Sequence, residues 1–247
     1  MNIDYAFMLE ALPQIAKYIP ITLQLTAVAF LISLPIGILF GYITFKRVKV
    51  ISWIVRVYIS LIRGTPLLLQ IYIIYNLSPY LLAEYLDKIG STFTIYKLNP
   101  IYYAYFAMSL STTVAIAEAI RAGLSGVDKG QSEAGQSVGL NGFQTFLHIV
   151  FPQALATAMP VLGNVLVDLA KSTSLAFMMA VMEITGSAKV LGANVLRYFE
   201  AYLCDFVLYI VIIIVLEQIV HLIEKRVCVY RTGRHKERSL QKSAAQM

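Results

Sequence analysis

Five long stretches of this chain carry almost no charge, and this constrains its fold more than any other feature. Residues 19–45, 64–83, 98–117 and 149–167 contain no charged side chain, and 206–223 has a single acid, Glu217. A helix needs about 20 mostly apolar residues to cross a hydrocarbon core of about 30 Å, and each block approaches or exceeds that length. The chain as a whole is 58% hydrophobic and only 14% charged, which leaves too few charges to cover a water-facing surface. The expected fold class is all-α: a polytopic membrane protein of about five transmembrane helices. The spans are expected roughly at 19–45, 56–83, 98–121, 149–182 and 203–224, in one membrane domain over 1–230 followed by a basic tail over 231–247.

The basic residues give an orientation. Lys46, Arg47, Lys49, Arg56 and Arg63 follow the first span, Arg121 and Lys129 follow the third, and seven more lie between Lys225 and Lys242. The other side has only Lys17, Lys88, Lys97, Lys189 and Arg197. The positive-inside rule then expects the N-terminus outside and the tail in the cytoplasm. The segment MNIDYAFMLE carries Asp4 and Glu10 and no basic n-region, so the first span reads as retained rather than as a signal peptide. The net charge of +6 follows from this topology and from attraction to anionic lipid heads, so no nucleic-acid partner is expected. Cys204 and Cys228 flank the fifth span, and 24 helical residues would set them roughly 36 Å apart, too far for a disulfide. With no CxxC pair and three scattered histidines, no metal site is expected.

The connection 123–148 is rich in glycine, glutamine and serine, although helix–helix connections usually need only about two to eight residues. Asp128 with Gln131 has capping-box spacing and starts a helix near Lys129. Gly139-Leu140 looks like a stop with a left-handed glycine and its hydrophobic partner. Asn141 with Gln144 offers a second N-cap, after which Phe143, Phe146, Leu147 and Val150 supply an apolar side and Pro152 a kink. Spacing alone leaves open whether the short helix is a solvated connector or a docking element. Elsewhere, Gly37 and Gly41 match the small-xxx-small pattern of close helix approach. In Arg63-Gly64-Thr65-Pro66 the threonine is placed to cap a helix whose first turn holds the proline, with a bend possible there.

Several of these motifs resemble one family. Glu133-Ala134, Gly139-Leu140, Ile149 and Pro152-Gln153-Ala154 are similar to the EAA loop of permease subunits in ABC importers, and more narrowly of the polar amino-acid uptake family. RGTPLLLQ at 63–70, AEAIRAGLSGVDKGQSEA at 117–134, FPQAL at 151–155 and KSTSLAF at 171–177 extend the resemblance over most of residues 60–185. Gly135 stands where that family usually has the second alanine of its signature, and Ser172 where an acid is common. The resemblance implies a cytoplasmic coupling helix between the third and fourth spans, with Glu133, Ala134, Gly139 and Leu140 in contact with a separate ATPase. It also implies an extracellular or periplasmic amino-acid-binding protein, a second permease copy or paralogue, and a multi-pass place in the bacterial plasma membrane. No catalytic residue and no cofactor are expected in this subunit, ATP and magnesium belonging to the partner. The chain has no G-x-x-x-x-G-K-[ST] phosphate loop, which agrees with that division of labour. The TSLAF run and EAYL at 200–203 are similar to cystine-type members.

Ionisable groups at membrane depth usually face partners or water-filled cavities. Glu118 and Arg121, and Asp168 and Lys171, each have helical i,i+3 spacing and can neutralise one another. An amino acid carries both charges, so Asp168 and Lys171, with Asn164, Thr173 and Ser174, are candidates for the substrate pathway, and Glu118 is a further one. Glu217 reads as a packing or lipid-interface residue. The competing functions are an ion-driven secondary transporter of a small polar solute, which would commonly show inverted repeats, and a membrane scaffold or sensor.

Overall fold

The computed structural model describes residues 3–92 and 94–227, so Cys228 and the tail at 231–247 lie outside the described residues. Ten α-helices follow in order: α1 (Tyr5–Ala16), α2 (Ile19–Lys46), α3 (Lys49–Arg63), α4 (Leu67–Lys88), α5 (Ile101–Ser125), α6 (Lys129–Ser137), α7 (Gly142–Thr145), α8 (Phe151–Ser172), α9 (Ile184–Asn194) and α10 (Tyr198–Val227). Among the described residues there is no strand. Among the described residues, four segments are long and apolar enough to cross a membrane: α2, α5, the run Gly142–Met179 and α10. The fifth is a broken pair.

Helices α3 and α4 are long and apolar enough to cross only as a pair, and the chain bends by 102° between them. A residue before proline is pushed out of the helical region, so α3 stops ahead of Pro66. Thr65 closes α3 rather than capping α4, because its hydroxyl donates back to the carbonyls of Leu61 (3.1 Å) and Ile62 (3.2 Å). Pro66 itself takes the N-cap position of α4. Buried Gln70 completes the corner, with its Nε2 donating to the carbonyls of Ile62 (2.8 Å) and Thr65 (3.0 Å). The expected second span at 56–83 is thus an elbow, broken where the sequence placed a bend.

Helix α5 is the centre of the bundle. One half of it packs with α2, α4 and the turn after α8, around Leu25, Ala29, Ile71, Ala104, Met108 and Met179. The other half packs with α8 and again with α2, around Ile116, Ile120, Leu124, Ala154 and Leu162. Gly37 and Gly41 make the α2 contact possible. A Cβ on Gly37 would lie 2.6 Å from Ile116 Cγ2, and one on Gly41 2.7 Å from the carbonyl oxygen of Ala117. Across the same seam the Ser33 hydroxyl donates to the carbonyls of Ala29 (2.7 Å) and Ser109 (3.0 Å). Tyr58 ties α3 to α5 by donating to the Leu110 carbonyl at 2.8 Å.

A third cluster forms at the end of the bundle opposite α6. There α1 and α9 pack on the first turns of α10, around Ala11, Ile15, Ile184, Ala188, Ala201 and Cys204. Asp4 caps α1, accepting from Phe7 N at 3.0 Å, and also meets Arg197 at 3.2 Å, while Arg197 lies 3.5 Å from Glu200. Between α8 and α9 the chain runs as a 3₁₀ helix (Thr173–Met179) and turns at Ala180, whose φ is +56°. The α winding of the fourth span thus ends at Ser172, and the span continues as 3₁₀ helix to Met179.

The α2–α5 contact yields a prediction. Gly41→Val would drive side-chain atoms into a backbone carbonyl that cannot rotate away. It should destabilise the detergent-solubilised protein by about 1–3 kcal/mol, read as a lower melting temperature. An unchanged melting temperature would show that the two helices do not touch there.

Candidate functional site

At mid-length of α5, Met108, Ser111, Thr112 and Ala115 wall a cavity of about 130 Å³. Leu67 at the start of α4 and Val165, Asp168, Leu169 and Ser172 of α8 close it. Leu67 reaches this wall because of the elbow. On α8, Thr157, Asn164, Asp168 and Lys171 recur at helical spacing and all stand exposed on the subunit. The side chains of Asp168 and Lys171 are 75% and 56% exposed, with Nζ 3.4 Å from Oδ1. They form a loose pair that leaves both groups hydrogen-bonding capacity.

The pathway candidates do not all gather here. Asn164, Asp168 and Lys171 share the exposed face. Ser174 is half-buried and its hydroxyl donates to the Lys171 carbonyl at 2.9 Å. Thr173 is fully buried and faces α10, donating to the Ala170 carbonyl at 2.7 Å with Tyr209 Oη at 3.2 Å. Thr173 is two residues past Lys171 rather than three or four, so helical spacing alone sets it off the exposed stripe. Ser172, a neighbour of this cluster, lines the cavity. Glu118 pairs with Arg63 at the elbow, 2.5 Å away, rather than with Arg121.

The second candidate region is α6. Asp128 caps it, accepting from Gly130 N at 2.8 Å. The expected box at Asp128 is half-made, because Gln131 instead accepts from Gln153 Nε2 at 3.1 Å. The full capping box is at Asn141 and Gln144. The helix ends as its sequence suggests. Gly139 has φ +86°, Leu140 N donates to the Gly135 carbonyl (3.1 Å) and Gly139 N to that of Gln136 (3.0 Å). This pair of bonds is the Schellman stop. Glu133, Ala134 and Gly139 are exposed and Leu140 is half-buried. Val138 and Phe143 are 76% and 72% exposed and Leu147 is exposed too, whereas Phe146 and Val150 of the same apolar side pack inward. Ahead of Pro152 the kink takes the form of a π-turn over Phe146–Val150, where Phe151 N donates to the Phe146 carbonyl. Pro152 has no N–H to sustain the regular ladder there.

Sequence reasoning missed a buried acidic network. Glu183 lies in the connection between the span ending at Met179 and the one beginning at Tyr198, and it is fully buried. It caps α9, accepting from Thr185 N (2.9 Å) and Gly186 N (2.7 Å), and also from Tyr209 Oη at 3.1 Å. The Thr185 hydroxyl donates to buried Asp205 at 3.1 Å. The only sequence signal was a pair of acids beside apolar runs, Glu183 and Asp205. Burial pushes the Glu183 carboxyl up from 4.5 to about 7, against the lowering effect of its N–H and Tyr209 donors.

Comparison with known proteins places this architecture. Residues 33–229 match the family model of the binding-protein-dependent transport system inner membrane component. The chain belongs to that family. The probable amino-acid permease protein YxeN of Bacillus subtilis (strain 168) is 35% identical over 224 residues, covering 91% of this chain and 96% of that protein. The L-cystine transport system permease protein TcyL of the same organism is 34% identical over 218 residues, 88% of this chain and 89% of its own. Among solved structures, a chain of an amino acid ABC transporter with histidines superposes with TM-score 0.76 at 28% identity, covering 92% of this chain and 100% of that one. A chain of the inward-facing MetNI methionine ABC transporter shares the fold, with TM-score 0.64 at 16% identity over 91% of this chain and 99% of its own. The resemblance read from the motifs is borne out, and a carrier working alone is not favoured.

Glu183 supplies a pH prediction. Its carboxyl binds a proton more tightly in the folded state than in an unfolded chain. This contribution to stability is therefore present at low pH and is lost as pH rises from about 4.5 through about 7. Glu183→Gln should flatten that slope in melting curves taken across the range. A slope identical to that of the unaltered protein would refute the assignment.

Proposed function

We propose that this chain is the membrane subunit of an ATP-binding-cassette importer for amino acids, forming one half of a translocation pathway completed by a second permease copy or paralogue. The observation that carries this reading is the exposed polar face of α8. Asp168 and Lys171 stand open on a single subunit beside a cavity at the middle of α5. A charge facing hydrocarbon costs at least about 2.5–3.5 kcal/mol on insertion scales, so such a face belongs against water or a partner. A carboxylate and an ammonium on adjacent turns suit the ammonium and carboxylate of an amino acid, with Asn164 and Ser172 as polar neighbours. The similarity to TcyL makes cystine the first substrate to test.

The end of the bundle that bears α6 is the cytoplasmic one in this reading, and α1 and α9 lie outside, where an amino-acid-binding protein delivers substrate. Glu133, Ala134, Gly139 and Leu140, with exposed Val138 and Phe143, supply the contact for a separate ATPase, which would hold the ATP and magnesium.

Two measurements test the proposal. Asp168→Asn keeps side-chain size but loses a charge-assisted bond, roughly twice as strong as a neutral one. Uptake by proteoliposomes containing the permease, ATPase and binding protein should fall while membrane abundance holds. Undiminished uptake would remove Asp168 from the pathway. Gly139→Val puts a β-branched residue at positive φ, at a cost of about 1 kcal/mol or more. It should leave the protein inserted but poorly recovered with its ATPase, and normal co-purification would count against α6 as the contact.

A further inference from the structure

We propose that Gly135 and Thr145 form a steric joint that seats α6 on the turn leading into α8, so that displacement of α6 passes to α8 without slack. The proposal rests on α6 being the ATPase contact and adds how the motion leaves it. Gly135 is the one buried residue of α6. A Cβ there would lie 2.7 Å from Thr145 Cγ2, 3.0 Å from Thr145 Oγ1 and 2.9 Å from Ile149 Cδ1. The Ile149 atom is the end of a flexible side chain and can move aside. Thr145 cannot, because it is buried and its branched side chain has few rotamers.

Three further features make this a joint rather than a chance contact. The Thr145 hydroxyl is buried with no hydrogen-bond partner, so it acts here by shape. Gln153 Nε2 donates both to Gln131 Oε1 (3.1 Å) and to the Ile149 carbonyl (2.9 Å), tying the first turn of α6 to the first turn of α8. Thr145 immediately precedes the π-turn and Ile149 lies within it, in the irregular part of the path into α8. Local preference points the other way, since glycine within a helix is less favourable than alanine. A methyl at 135 would thus help α6 as an isolated helix and harm its seat. That opposition makes the two effects separable.

The test uses the full chain with its ATPase and binding protein in proteoliposomes, following substrate uptake and ATP hydrolysed per molecule imported. Gly135→Ala should lower uptake by roughly ten-fold, the scale of an overpacked contact, and raise the ATP cost per molecule. Thr145→Ala removes both offending atoms without breaking a hydrogen bond, so Gly135→Ala with Thr145→Ala should recover most of the uptake. A wild-type ratio in Gly135→Ala overturns the joint, and so does a double variant as poor as the single one. If Gly135→Ala does not accumulate, Thr145→Ala alone reads the joint from the other side: the loosened contact should raise ATP spent per molecule at normal abundance, and an unchanged ratio overturns the proposal. Failure of the unaltered chain to bind the ATPase is a separate outcome, overturning the reading of α6 itself.

Discussion

Two glycines let α2 lie against α5, and the placement of the other helices follows from that seam. Between helices in lipid there is little hydrophobic drive, so close packing and hydrogen bonds must hold them. Gly37 and Gly41 bring the backbones near enough for the Ser33 hydroxyl to reach a carbonyl of α5. With α2 fixed on one side, α5 has its opposite flank free for α8, and small residues such as Ala154 and Ala158 fill that flank. The polar groups at the middle of α5, Ser111 and Thr112, are left facing the cavity between α5 and α8. The cavity is thus a consequence of packing around α5, and its charged rim belongs to α8.

What the sequence disclosed and what it hid divide along a physical line. The spans were legible because absence of charge over a bilayer's thickness needs no partner to interpret. The Gly139 stop and the Asn141 box were legible because each is settled by bonds within a few residues. Long-range pairings were not. Glu118 had Arg121 at helical spacing, yet its partner is Arg63, 55 positions away, brought near by the elbow. Asp4 and Arg197 meet across almost the whole chain, and with them α1 and α9, which no charge-free run announces. Thr173 shared its polarity with its neighbours on paper, but it lies two residues past Lys171, off the exposed stripe, and its partner is Tyr209, 36 positions away. Glu183 was hidden for a related reason: its role depends on the turn at Ala180 that sets it at the head of α9.

The site and the fold also depend on one another through depth. A subunit that leaves Asp168 and Lys171 uncovered is poorly suited to stand alone in lipid, yet its other faces carry the apolar residues that lipid favours, such as Ile214, Val215 and Ile219 on α10. The subunit is two-sided in this sense, with apolar residues exposed along α10 and charged ones along α8.

The elbow between α3 and α4 has a consequence for how such a molecule can change shape. A corner of 102° is commonly taken for a hinge, but this one is braced from within by the Gln70 amide and from without by Arg63–Glu118 and Tyr58–Leu110. Bending it would break several bonds at once, while turning the whole bracket together with α5 breaks none of them. Leu67 sits just past the corner and forms part of the cavity wall. The cavity wall on this side is therefore carried by a braced corner, and a hinge at Pro66 would have to break these bonds before Leu67 could swing away from it.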